Sequence, residues 1–229
     1  MSILNESLAG RIATPLTAVP QTDPATLAPR DGRSYVAGDR GQPLRYATLP
    51  QALRQTVSRF GPREAAVFPA QGIRLSWYDL DRRVDALAAG FLALGLGRGD
   101  RVGIWSPNRV EWVLTQFATA RIGAILVNIN PAYQRAELEY ALTLSGCAAL
   151  VLAERFKASD YLGMLTALAP ELAGCEPGRL VSARLPMLKS VIVMSDRPGP
   201  GMMAFSQLER LGGPAQQLAG SHRRHAGAG

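Results

Sequence analysis

Residues 77–140 read WYDLDRRVDALAAGFLALGLGRGDRVGIWSPNRVEWVLTQFATARIGAILVNINPAYQRAELEY, and their pattern decides the fold. Leu80, Val84, Leu87, Ala88 and Phe91 share one face of a helix, with Asp81, Arg82 and Asp85 outside it. Ser76 and Asp79 form a capping pair at its start, and Gly95 suits a left-handed end. Val102 to Trp105 is a short apolar strand. Ser106-Pro107-Asn108 restarts a helix, with Asn108 as the expected cap and Glu111 three residues later. Val110, Val113, Leu114, Phe117 and Ala118 line its buried stripe. After Gly123 a strand runs from Ala124 to Ile129, and Asn130-Pro131 breaks it. A third helix over Ala136 to Ser145 leads to a buried strand over Ala148 to Leu152. Short apolar strands alternating with longer helices predict an α/β fold, a parallel sheet covered on both faces.

Working outward, Leu49, Leu53 and Val57 predict an amphipathic helix over Thr48 to Phe60. Ala65 to Phe68 and Ile73 to Ser76 flank a turn and predict a β-hairpin. Downstream, a helix is expected at Tyr161 to Leu168, a strand at Val191 to Met194 and a short helix at Phe205 to Leu211. A Gly/Pro-containing loop over Glu171 to Pro186 and another at Arg197 to Gly201 separate them. Residues 1–47 hold five prolines and little periodicity, which predicts an extended arm. Three parts result: an arm over 1–47, a folded unit over 48–211 and a disordered tail over 212–229.

The chain has 229 residues, 47% of them hydrophobic, enough for a substantial core. The apolar run Ala86 to Leu96 is only 11 residues, against about 20 for a membrane span. Arg121 interrupts the next candidate, Trp112 to Ile129. The N-terminus lacks the basic start and apolar block of a secretory signal; a transit peptide stays open. Cys147 and Cys175 are the only cysteines and have no partner motif, so a reducing, cytoplasmic setting is expected. Cys147, beside an apolar strand, reads as a small core residue. The net charge of +7 comes from dispersed arginines; Arg82-Arg83 and Arg223-Arg224 are the only adjacent basic pairs. No basic stripe is interleaved with aromatics, so no nucleic-acid partner is expected.

Four features invite a functional reading. Gly95-Leu96-Gly97-Arg98-Gly99-Asp100 closes a helix and opens a strand. A phosphate loop does the reverse, so this segment is read as a turn. Asn128 and Asn130 end a strand where α/β sheets bind ligands, but asparagine there more commonly satisfies a turn. Glu111 and Glu137 sit in helix first turns, where a carboxylate stabilises the amide end; Trp105, Trp112, Tyr133 and Tyr140 read as packing residues. His222 and His225 lie three apart in a Gly/Ala tail with no third ligand near.

Gly99-Asp100-Arg101-Val102, Asn108 with Glu111-Trp112, Gly123-Ala124, Asn130-Pro131, and Glu137-Leu138 with Tyr140 occur in an order and spacing that resemble the adenylate-forming superfamily, specifically acyl-CoA synthetases. VNINPAYQRAELEYAL, residues 127–142, is similar to the branch acting on medium- and long-chain fatty acids. The resemblance is clear over Leu75 to Leu152 and weaker to Leu211. The implied fold is part of the large N-terminal domain of those enzymes, a parallel flavodoxin-like sheet flanked by helices, with an N-terminal β-hairpin.

The resemblance implies activation of a fatty acid by ATP with Mg²⁺ through an acyl-adenylate, then thioester formation with CoA. Both reactants of the first step are anions, so the chemistry needs a phosphate cradle and cations. In the family these come from a Ser/Thr/Gly-rich loop ending in Pro-Lys-Gly, an aromatic-Gly-x-Thr-Glu segment, a ribose-binding Asp and a C-terminal Lys. None of these matches this sequence, whose only lysines are Lys157 and Lys189. No catalytic, cofactor-binding or metal residue is therefore assigned. After Leu211 the text turns abruptly to Gly, Ala, His and Arg, which resembles a shifted reading frame or an artificial end. The expectation is an N-terminal fragment of a fatty-acyl-CoA synthetase, inactive alone and marginally stable because sheet edges and apolar faces lack partners. Two rivals are a free-standing non-catalytic binding module and half of a split synthetase completed by a C-terminal polypeptide.

Overall fold

A run of helix starts and stops sets the architecture. The computed structural model describes residues 46–212; the remainder of the expected arm and tail, with both histidines, lies outside the described residues. α1 (Leu49–Phe60) begins at Thr48, whose hydroxyl accepts from the Gln51 amide at 3.3 Å while the Gln51 side chain accepts from the Thr48 amide at 2.8 Å. Leu53 is buried as expected, but Leu49 at the first position of the helix is exposed. β1 (Glu64–Phe68) and β2 (Ile73–Ser76) pair antiparallel, confirming the hairpin.

α2 (Trp77–Ala93) opens with the expected Ser76–Asp79 capping box. All five residues of its predicted face are buried. It ends in a Schellman arrangement: the Gly95 amide donates to the Leu92 carbonyl at 2.9 Å and the Leu96 amide to the Phe91 carbonyl at 3.0 Å. Gly95 takes φ +80°, which glycine adopts without a Cβ penalty.

β3 (Arg101–Trp105), α3 (Val110–Ile122), β4 (Ile125–Asn128), α4 (Arg135–Ser145) and β5 (Ala149–Leu152) follow in alternation. A small hairpin, β6 (Arg155–Phe156) and β7 (Ser159–Asp160), then leads into α5 (Tyr161–Leu168). β8 (Ser190–Val193), β9 (Met203–Ala204) and α6 (Phe205–Leu211) complete the described part. Sequence pattern had not indicated β6, β7 or β9, each only two residues long.

The five-stranded sheet runs β4-β3-β5-β8-β9 and every pairing in it is parallel. Numbered in chain order, its strands lie 2-1-3-4-5, the flavodoxin-like order. The step from β3 to β4 and the step from β4 to β5 cross the sheet in opposite directions. Right-handed crossovers therefore put α3 and α4 on opposite faces. Accordingly α1, α2, α3 and α6 pack among themselves, and α4 packs with α5. The central strands β5 and β8 are buried along their whole length. The fold is thus the expected α/β architecture.

One cap differs from expectation. Asn108 does not cap α3; Arg109 holds that position and makes no side-chain cap bond. The Val110 amide donates instead to the Gln71 side-chain oxygen at 2.9 Å, across 39 residues. Tyr140 is also exposed rather than packed.

Candidate functional site

In an open α/β sheet the ligand crevice lies outside the carboxyl ends of the strands, where the strand order reverses. Here that point lies between β3 and β5. Trp105 closes β3 and is fully buried. Its indole stacks on Tyr161, with ring centroids 3.6 Å apart. The indole N–H donates to the Asn130 carbonyl at 3.1 Å, and the Tyr161 hydroxyl donates to the Pro131 carbonyl at 2.5 Å. The Trp105 carbonyl accepts from Ala153 at 3.1 Å. Burial pushes the Tyr161 phenol up to about 12. The crevice is filled by two aromatic rings with satisfied polar ends.

The asparagines behave as turn residues. The Asn130 side chain accepts from the Ala132 amide at 2.9 Å, and its carbonyl accepts from Tyr133 at 3.0 Å. Asn128 is exposed at the end of β4. Ser106, buried after β3, donates to the Pro107 carbonyl at 2.7 Å.

The amide end of α3 also faces this side of the sheet and is occupied from within. Gln71, from the hairpin turn, takes the Val110 amide and donates to Glu111 at 3.0 Å. Arg109 meets both Glu111 oxygens, at 3.1 and 3.0 Å. Burial pushes the Glu111 carboxyl up, but hydrogen bonds from Arg109, its own backbone amide and Gln71 outweigh it and hold it below the ordinary range. Glu137 likewise accepts from the Gln134 amide at 2.7 Å at the start of α4. The two glutamates sit in separate helix starts, as expected of dipole-compensating residues.

The glycine-rich loop lies at the wrong end of the sheet for phosphate. It precedes β3, and Asp100 accepts from the Gly97 amide at 2.8 Å, which closes the turn. Lys189 precedes β8, at the same amino end. Lys157 occupies the β6–β7 turn with φ 53°, and its ammonium lies 5.3 Å from the Phe156 ring centroid. Cys147 is buried, its sulfur 3.1 Å from the Ser145 hydroxyl, and burial pushes its thiol up. That environment suits a core residue rather than a nucleophile.

An open groove of about 730 Å³ lies between the starts of α4 and α5, lined by Gln134, Arg135, Ser159, Asp160 and Met164 among others. Its polar groups serve the fold: Gln134 donates to Ser159 at 3.2 Å, and Asp160 accepts from the Gly163 amide at 3.0 Å. Among the described residues, no three His, Cys, Asp or Glu side chains gather to hold a metal. No described helix is long and apolar enough to cross a membrane.

Residues 53–197 match the family model described as AMP-binding enzyme. The chain belongs to the AMP-binding enzyme family. It is 44% identical over 191 residues to the mitochondrial medium-chain acyl-CoA ligase ACSF2 of Rattus norvegicus, covering 83% of this chain and 31% of that protein. The human protein of the same name is 42% identical over 198 residues, covering 86% of this chain and 32% of its own length. The chain thus spans about a third of the length of these relatives. A crystal structure of a long-chain-fatty-acid-CoA ligase from Archaeoglobus fulgidus superimposes with a TM-score of 0.61. That match is 21% identical and covers 79% of this chain and 33% of the other. A Mycobacterium tuberculosis fatty acyl CoA synthetase gives 0.57 at 21% identity, covering 71% and 28%. At that identity the structural likenesses show the fold alone. The AMP-binding membership agrees with the resemblance drawn from the Gly99 to Tyr140 motifs.

Proposed function

We propose that this chain is the N-terminal scaffold part of an ATP-dependent fatty-acyl-CoA ligase, unable to adenylate an acid alone. The supporting observation is its likeness to ligases named for medium-chain acyl substrates, joined to a crevice filled by Trp105 and Tyr161. In this reading residues 48–211 are a partial AMP-binding unit, preceded by an arm over 1–47 and followed by a tail over 212–229. The intact enzyme uses fatty acid, ATP, Mg²⁺ and CoA. The residues present here do not fit a triphosphate: both the switch-point crevice and the α3 amide end are occupied by side chains. No catalytic step is therefore assigned to them. A complementing C-terminal polypeptide supplies the cradle and the lysine. The two free cysteines support a reducing compartment, which the cytoplasm and the mitochondrial matrix both offer.

A second reading, a free-standing non-catalytic binding module, draws on the closed core, in which Leu87, Leu114 and Leu150 are fully buried. ATP–pyrophosphate exchange with octanoate and Mg²⁺ separates the two. The chain alone is expected to give none. The chain co-expressed with the C-terminal part of a relative is expected to give exchange. Exchange by the chain alone refutes the scaffold reading. Saturable octanoate binding to the chain, with no exchange in either preparation, favours the module.

A further inference from the structure

The two helix layers are not equally finished. On α4, Leu138 and Leu142 point into the core and are buried. Ala136, Tyr140 and Leu144, spaced four apart, form a second stripe on the opposite side of the same helix. Tyr140 is 67% exposed and Leu144 72%. Arg184 pairs with Glu139 at 2.5 Å, which ties the 181–187 loop beside α4. That loop adds Val181, 84% exposed, and Met187, 54% exposed. Single exposed apolar residues are ordinary, but a cluster marks a partner surface. α4 thus carries exposed apolar side chains opposite its buried face, set among charged residues.

The surrounding charges narrow the occupant. Two basic residues, Arg135 and Arg184, and two acidic ones, Glu137 and Glu139, lie on α4 and its neighbouring loop, a balanced set, whereas an anionic lipid surface calls for a basic rim. Tyrosine and methionine are enriched where proteins meet. This chain also spans only 31% of the rat relative, so most of that protein lies outside the matched segment.

We propose that the outward face of α4, with Val181 and Met187, is the docking surface for the polypeptide that follows the matched segment in the relatives. The occupant is a folded protein surface with its own apolar patch. This inference rests on the reading of the chain as the N-terminal part of a ligase.

The test co-expresses the 229-residue chain with the part of the rat ligase that follows its aligned segment, each under a different affinity tag. A one-to-one complex is expected, weakened about tenfold or more by Leu144→Glu. Leu92→Glu, an exposed change on α2, leaves it unaltered. Hydrogen exchange across 136–145 and 181–187 slows in the complex. Because Leu144 lies mostly in solvent, the variant keeps the thermal unfolding profile of the parent chain, and Tyr140→Ser repeats the test with a milder change. A complex indifferent to both variants overturns the assigned face and leaves the ligase reading standing. Absence of any complex with the unaltered chain overturns the docking, and the exchange assay then decides separately whether the ligase reading falls. A dimer of the chain alone that Leu144→Glu makes monomeric overturns the assigned occupant in favour of a second copy.

Discussion

The rings of Trp105 and Tyr161 lie 11° from parallel, and between them they turn the default ligand site of a doubly wound sheet into core. Tyr161→Ala is expected to cost about 3–5 kcal/mol through the cavity it leaves. Tyr161→Phe keeps the stack but strands the Pro131 carbonyl, costing about 1–2 kcal/mol. Urea unfolding followed by tryptophan fluorescence reads both. The phenol adds a pH signature. Its folded pKa is raised from 10.0 to about 12, so its contribution is intact below 10.0 and lost as pH rises through the folded value. The alkaline loss of stability in that window is expected to be shallower in Tyr161→Phe. An unchanged alkaline limb would show that the phenol titrates freely.

Gly90 faces the backbone of α6. A Cβ there would overlap the Leu208 carbonyl oxygen, and one at Gly212 would overlap the Ala86 carbonyl oxygen, so the two helices meet backbone to backbone. Arg83 holds Glu209 through two hydrogen bonds of 2.9 and 3.1 Å across the same contact. Gly90→Ala gains about 1 kcal/mol of helix propensity but forces α6 outward, at about 1–3 kcal/mol. The overlap with backbone should win, giving net destabilisation by urea titration. Gly97→Ala, which meets no neighbouring atom, serves as the control and should be neutral or slightly stabilising. Equal midpoints for both variants would refute the close approach.

These examples explain what the sequence could tell. The stripe of α2, its Ser76 cap and its Gly95 end are local, so periodicity and spacing revealed them. The apolar strands at 102–105 and 149–152 were legible because both faces are buried. Gln71 capping α3 was not legible: the donor and acceptor lie 39 residues apart, and Asn108 offered a plausible local substitute. β6, β7 and β9 escaped because two-residue strands carry no alternation. At the candidate site, the turn role of Asn130 followed from its place before Pro131. The Trp105–Tyr161 plug did not, because nothing local in a tyrosine at a helix start indicates which strand end it covers.

The Gln71–Arg109–Glu111 cluster gives an acid-side prediction. The Glu111 carboxyl titrates below its ordinary 4.5 in the folded chain. Its stabilisation is therefore present above that pH and lost as pH falls through the lower folded value. Glu111→Gln is expected to flatten the decline of stability below about pH 5. Gln71→Ala removes the α3 cap and should cost about 1 kcal/mol at neutral pH. Stability measured by urea titration at neutral and acid pH checks both. An acid limb as steep in Glu111→Gln as in the parent would place the titration elsewhere.

Arg121 carries the strongest electrostatic prediction. Its side chain is 6% exposed and joins α3 to Asp81, at 2.6 Å, and to Asp85, both on α2. Its Nε has no hydrogen-bond acceptor among the described residues. Removing the guanidinium leaves two carboxylates one turn apart beside an apolar helix contact. Breaking a fully buried pair costs about 3–5 kcal/mol, but both aspartates are about a quarter exposed and can rehydrate, so Arg121→Leu should cost about 2–3 kcal/mol. Arg121→Lys should recover only part of this, because an ammonium lacks the planar fork that reaches both partners. Adding Asp81→Asn and Asp85→Asn to Arg121→Leu should restore stability toward the parent, since the loss comes mainly from uncompensated charge rather than from the pair itself. A cost for Arg121→Leu below about 0.5 kcal/mol would mean that the triad behaves as an exposed surface pair, and that apolar packing alone holds α2 against α3.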